Sequence, residues 1–143
     1  MPSHLRAVLD TNVILAAHRT RQAASPNAEI LARWRRREFQ VLHSADTLAE
    51  YAEKLLEHGM DAAEIEEFIR LLARHGEEVS IVFFHFRHYP VDPDDVMFLL
   101  CAINGSATHL VSYDDQLLSL RHYYSCELTI CEPLEFLVAC RTL

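Results

Sequence analysis

The chain has 143 residues, 50% hydrophobic and 24% charged, with a formal net charge of −8. This is the size of one domain (residues 1–143) with enough apolar material for a core, which excludes a second domain and a disordered chain. The acidic balance argues against attraction of nucleic acid by overall charge, and no apolar run reaches the roughly 18 residues of a membrane span.

In chain order, residues 5–9 (LRAVL) predict a short buried strand, and VILAAHR after it predicts a helix that fades near Thr20. Ser25 and Pro26 have the chemistry of a helix N-cap and first turn, and that helix carries Ile30, Leu31 and Trp34 on one face. FQVLHS, residues 39–44, predicts a second strand. A helix from about Ala45 to His58 is expected to stop at Gly59. Asp61 with Glu64 predicts a capping-box start for another, bearing Ile65, Phe68, Ile69 and Leu72 and stopping at Gly76. Both glycines stand where a left-handed C-cap is wanted.

EVSIVFF, residues 78–84, predicts a third strand, and HFRHYPVD a loop leading to a cap-plus-proline start at Asp92 and Pro93. VMFLLCAI (96–103) then predicts a buried helix, THLVS (108–112) a fourth strand, QLLSLRHYY a helix, ELTI (127–130) a fifth strand and LEFLVAC a closing helix. Strands alternating with helices predict an α/β domain with a mostly parallel five-stranded sheet covered on both faces, because parallel strands need crossover helices.

The acids stand out against this frame. In AVLDTNVILA the apolar run breaks at Asp10, Thr11 and Asn12, and a charge at the edge of a core segment is costly unless compensated. In such a sheet, ligands bind beyond the carboxyl ends of the strands where strand order reverses. Asp10 follows the first strand and Asp114 the fourth. Asp94 and Asp95 fall in the first turn of the helix that starts at Asp92, and Glu50 lies on the helix after the second strand. Each acid also has a structural reading: Asp10, Asp95 and Asp114 as helix caps or dipole partners, and Glu50 as the ion-pair partner of Lys54. Gathered at one edge, four carboxylates repel unless a multivalent cation neutralises them, and oxygen ligands select Mg²⁺ or Mn²⁺. Such a cluster is equipped for phosphodiester cleavage without a protein nucleophile.

The backbone of a phosphodiester substrate would need cations outside the pocket. Those available are Arg19 and Arg21 and, within RWRRRE, Arg33, Arg35, Arg36 and Arg37, although such a run is also what a solvated helix face looks like. Cys101, Cys126, Cys131 and Cys140 form no CxxC pair and read as free thiols. His85 and His88 have HxxH spacing, which reads as two loop residues in the absence of further soft ligands. With no signal-peptide pattern at the start, the chain reads as cytoplasmic.

At these residues the sequence resembles the PIN-domain family, in particular its branch related to VapC-type toxin ribonucleases. VLDTNVILAA resembles the family's opening motif, TLAEYAEKL its helix with the acidic Glu, VDPDDVMFLLCAI its DPxD-type helix start, and THLVSYDDQLLSL its closing acidic segment. The resemblance covers nearly the whole chain. It implies a three-layer α/β/α, Rossmann-like fold, Mg²⁺- or Mn²⁺-dependent RNA cleavage, a homodimer, and a small antitoxin protein as partner. It makes Asp10, Glu50, Asp95 and Asp114 the catalytic and metal-holding acids, with Thr11, Asn12 and Ser112 as polar support and Asp92 as a cap. The chain departs from the pattern at Tyr113, where a glycine is typical and a tyrosine would narrow the site, and at Asp115, a second candidate acid. Two other readings remain. A non-catalytic binding module could use the same fold, and a phosphotransfer enzyme would also place an aspartate after the first strand but would need a lysine after a late strand, whereas the single lysine is Lys54.

Overall fold

The computed structural model describes residues 4–19 and 25–142. The elements run β1 (Arg6–Leu9), α1 (Thr11–Arg19), α2 (Pro26–Arg35), β2 (Gln40–His43), α3 (Ala45–Glu57), α4 (Ala62–His75), β3 (Glu77–Glu78) and α5 (Pro93–Asn104). They continue with β4 (His109–Val111), α6 (Asp115–Leu118), a 3-10 turn (Arg121–Tyr123), β5 (Thr129–Cys131) and α7 (Pro133–Arg141). The five strands pair in parallel in the order β3-β2-β1-β4-β5. Helices cover both faces, giving the three-layer α/β/α arrangement expected. The order reverses between β1 and β4, so the crevice at their carboxyl ends is the switch point of the sheet.

The strands are short and, His43 apart, apolar where buried: Ala7, Val8, Leu9, Leu110 and Val111 are at most 1% exposed, as a sheet covered on both faces requires. Tyr51 of α3 packs between Phe68 of α4 and Phe98 of α5, with ring centroids 5.6 and 5.7 Å apart. Its buried hydroxyl donates to the Leu9 carbonyl, which locks α3 to the end of β1. The α3 start is fixed by a capping box: the Thr47 N–H donates to Ser44 Oγ and the Ser44 N–H to Thr47 Oγ1. Its end is a Schellman turn, with Met60 N–H to Leu55 O and Gly59 N–H to Leu56 O, and Gly59 at φ +84°.

Five local expectations are corrected. The third strand is only Glu77–Glu78. One further backbone bond, Val79 N–H to His43 O, is made before Ser44 turns into the α3 cap, so residues 80–84 have no partner strand left to pair with. Gly76 caps α4 at φ −83°, not in the left-handed region. A glycine is needed there for space, since a Cβ would lie 2.6 Å from Leu72 O and 2.8 Å from His43 Cδ2. The helix expected in QLLSLRHYY is two short turns, because between Leu117 and Tyr124 nothing in it is buried. The fifth strand is shifted toward the C-terminus, starting at Thr129. Asp61 starts α4 without a side-chain cap bond.

The cysteines are free thiols, as expected, with Cys101, Cys131 and Cys140 buried. No helix among the described residues is long and apolar enough to cross a membrane.

Candidate active site

The chain leaves the buried β1 at Leu9 and enters α1 at Thr11, which fixes Asp10 at the carboxyl edge of the central strand. The neighbouring strand β4 ends in the same way, and its next residue, Ser112, is fully buried beside Asp10. The Ser112 hydroxyl donates to Asp10 Oδ2 at 2.7 Å and accepts from the Asp114 N–H at 2.9 Å. The Thr11 N–H donates to Asp10 Oδ1 at 2.7 Å. Asp10 therefore occupies the cap position of α1 and is held at the switch point at the same time. Its structural and functional readings do not compete.

Asp114 Oδ1 accepts from the Gln116 N–H at 2.7 Å and so caps α6. Gln116 Oε1 in turn accepts from the Asp92 N–H at 3.0 Å, which ties the start of α5 to the start of α6. Asp92 is the cap of α5, accepting from the Asp94 N–H at 3.0 Å. This leaves Asp95, one residue further round the helix, turned into the crevice and buried. Asp94 is half exposed, 3.8 Å from Lys54 Nζ.

Asp10, Thr11, Asn12, Glu50, Asp95 and Asp114 line one cavity of about 190 Å³, together with Asp92, Asp94, Lys54, His58 and Phe98. Of the expected site residues, Ser112 stands just behind this cavity. Tyr113 does not line it: its hydroxyl bonds Asn27 of α2, at 2.9 Å from Asn27 Nδ2. The expected narrowing is absent. Asp115 is the first residue of α6 and is likewise outside the cavity.

The electrostatics are those of crowded acids in a partly dry crevice. Burial pushes the Asp95 carboxyl up to about 7, with the charges of Asp114, Asp10 and Asp92 and a hydrogen bond to Asp114 adding to it. Burial also raises Asp10, against the bonds from Ser112 and Thr11 and with the charges of Asp114 and Asp92. Glu50 is raised by burial and then by Asp94, with Lys54 opposing. Lys54 lies nearest Glu57, 3.4 Å away, and Asp94, so the Glu50–Lys54 ion pair is not formed.

The donor set suits a hard divalent ion, since every acid offers oxygen. Among the described residues four buried side-chain polar atoms lack a hydrogen-bond partner, and two of them, Thr11 Oγ1 and Asp95 Oδ2, belong to residues lining this cavity. Among the same residues no three His, Cys, Asp or Glu side chains are drawn close enough to form a ready-made ion cage. Like charges repel, and Asp10 and Asp114 each spend an oxygen on a backbone N–H, so the four acids share a cavity without converging on one point. The residues fit a divalent ion by the chemistry of their oxygen donors.

The arginines are placed differently. The run RWRRRE closes α2 in a Schellman turn, with Glu38 N–H to Arg33 O, Arg37 N–H to Trp34 O and Arg37 at φ +61°. It immediately precedes β2, at the amino edge of the sheet, opposite the acids. Arg33 pairs with Glu29 at 2.9 Å and Glu38 at 2.6 Å, Arg36 pairs with Glu38 at 2.9 Å, and Arg37 bonds His75. Arg35 lines a separate groove with Glu64 and Glu67. The structure does not bring Arg33, Arg35, Arg36 or Arg37 to the cavity. Arg19 reaches the carbonyl of His58, a cavity residue, at 3.5 Å, and Arg21 lies outside the described residues. The side chains of Lys54 and His58 line the cavity itself; the sequence reading gave Lys54 only as the partner of Glu50 and passed over His58. Their signal was spacing: Glu50, Lys54 and His58 are four residues apart on one helical face.

Comparison with curated proteins returns no match. The PIN domain family matches residues 6–116, from the first residue of β1 through the Asp114 cap of α6, a span that contains every acid of the cavity. Proteins of that family are in general metal-dependent nucleases. An all-parallel sheet with acids at its switch point and a match over more than half of the chain agree, and the chain belongs to the PIN-domain family.

Proposed function

We propose that this protein is a Mg²⁺- or Mn²⁺-dependent endoribonuclease acting through the acidic cavity, and that it is the toxin of a toxin–antitoxin pair. The observation that carries the nuclease reading is the buried, partnerless Asp95 Oδ2 beside Asp10 and Asp114 at the switch point. Asp10, Glu50, Asp95 and Asp114 are the residues that would hold the ion. A bound divalent ion supplies Lewis acidity, acidifying water and offsetting charge on a phosphodiester.

The chain's own residues prepare for this. Ser112 and the Thr11 N–H fix the Asp10 carboxylate, and the α6 cap fixes Asp114, so neither needs to be ordered when substrate arrives. Asp95 holds a proton more tightly than an ordinary aspartate, and that proton leaves as a cation takes its place. Lys54 and His58 stand at the rim to meet a phosphate, with Arg19 behind His58. Asn12 lines the cavity as a polar contact for the substrate.

The toxin reading rests on the resemblance of four motif segments in family order. It carries with it a cytoplasmic location, a homodimer and a small antitoxin protein as partners of this chain. The nuclease reading is tested by incubating the purified protein with end-labelled single-stranded RNA in Mg²⁺, Mn²⁺ or EDTA. Internal cleavage with an ion and none in EDTA is expected. Equal cleavage in EDTA, or none with any divalent ion, overturns it.

A further inference from the structure

In a chain with net charge −8, residues 79–91 and 116–126 carry no acidic side chain. The fold puts these two segments together. The His88 ring lies flat on Tyr123, centroids 3.7 Å apart at 13°, and the Tyr124 hydroxyl donates to the His88 carbonyl. Phe86 packs edge-on against Tyr124 and Phe83. Phe83, Phe84 and Tyr123 remain 53%, 54% and 51% exposed. Their display is held in place: Asn104 Oδ1 accepts from the N–H groups of Val82 and Phe83 at 2.9 and 2.7 Å, and Asn104 Nδ2 donates to Phe83 O.

Two arginines fall among these rings in sequence, Arg87 and Arg121, the second within 3.5 Å of Glu135. Arg87 is exposed and has no ion-pair partner among the described residues, and His85 lies against Phe84. This also accounts for the HxxH pair: His85 and His88 each pack on an aromatic ring. The surface adjoins the acidic cavity. Asp92 is the fourth residue after His88, at most roughly 14 Å of chain away, and Asp92 and Asp114 are bridged by Gln116, which opens the second acid-free segment.

We propose that this surface is a stacking platform for the unpaired bases of single-stranded RNA whose backbone enters the acidic cavity, an inference that rests on the nuclease reading. Exposed aromatic rings held rigidly take up bases without regard to sequence, and neighbouring cations meet the phosphates. Elsewhere the acidic chain repels a polyanion, so the face built from these two segments, which have no acid of their own, is an approach of low repulsion. Arginines that fall among the rings in sequence favour a nucleic acid over an apolar protein partner.

The test is binding of a short fluorescent oligouridylate in EDTA, followed by anisotropy, so that affinity is read without cleavage. Phe84→Ala and Tyr123→Ala are expected to weaken binding by about five- to hundredfold each, while Phe84→Trp and Tyr123→Trp retain it. The same RNA annealed to its complement should bind as poorly as the alanine variants do. Alanine variants that keep their melting temperature and bind as wild type, a duplex bound as well as the single strand, or a wild type that does not bind each overturn the proposal. So do alanine variants that change only the mass of the particle in light scattering, which would make the face a protein interface. Cleavage with Mn²⁺ alongside unaltered binding by the variants sinks the platform alone. Weakened binding by the variants without any cleavage sinks the nuclease reading alone.

Discussion

Replacing Asp95 with Asn is expected to stabilise the metal-free protein at pH 8 and to stabilise it less than half as much at pH 5. The folded-state pKa of Asp95 is raised from 3.8 to about 7, so between those values the native state keeps a proton that the unfolded chain has released. Stability is therefore highest below the unfolded pKa, falls as pH rises through that window, and reaches its floor above the folded pKa. Three units at about 1.36 kcal/mol each set an upper bound of about 4 kcal/mol. The cavity opens to solvent and the neighbouring acids share the proton, so we expect about 1–2 kcal/mol in practice. Asn cannot ionise and escapes this loss. For a domain of this size the difference corresponds to roughly 3–8 °C in melting temperature. Thermal melts of both proteins in EDTA from pH 5 to pH 8 measure it. Parallel curves, or a variant that melts lower at pH 8, would refute the crowding of charge on which the site rests.

Ser112→Ala removes the hydroxyl that serves both Asp10 and Asp114, leaving two polar groups without their bond, and should cost about 1–3 kcal/mol in urea unfolding along with most of the cleavage; a variant within about 0.5 kcal/mol of wild type would deny it that role. Gly76→Ala places a Cβ against Leu72 O and the His43 ring and should cost about 1–3 kcal/mol, without an effect on cleavage beyond lost folded protein; a neutral result would show that α4 moves freely at its end. Added Mn²⁺ should stabilise the wild type by about 2.7 kcal/mol at a hundredfold excess over its dissociation constant, and Asp95→Asn by less; equal gains would remove Asp95 from the ligand set.

Much of this was written locally in the sequence. Cap-plus-proline signals placed the starts of α2 and α5, Gly59 the end of α3, and the apolar runs three of the strands, because each depends on a few adjacent residues. The acids were legible for the same reason: Asp10 and Asp114 each follow a strand directly. What escaped depended on partners distant in the chain. EVSIVFF has the composition of a strand, but β2 ends at His43, so its backbone from Val82 onward turns to Asn104 instead. The arginines of RWRRRE looked available although two of their partners are local, Glu29 one turn before Arg33 and Glu38 in the run itself; only His75, which Arg37 bonds, is brought from far along the chain. Lys54 was read as the partner of Glu50, and only the approach of α5 shows it reaching toward Asp94.

The most direct test of the central claim is the rate of RNA cleavage by Asp10→Asn as Mn²⁺ is raised, beside wild type of the same melting temperature. Asp10 is the acid fixed most firmly, by Ser112 on one oxygen and Thr11 on the other, and Asn preserves the shape while removing the charge. The account predicts Mn²⁺-dependent cleavage by wild type and a loss of at least a hundredfold in the variant, about 2.7 kcal/mol of transition-state stabilisation. Cleavage by Asp10→Asn at the wild-type rate across the titration would contradict it.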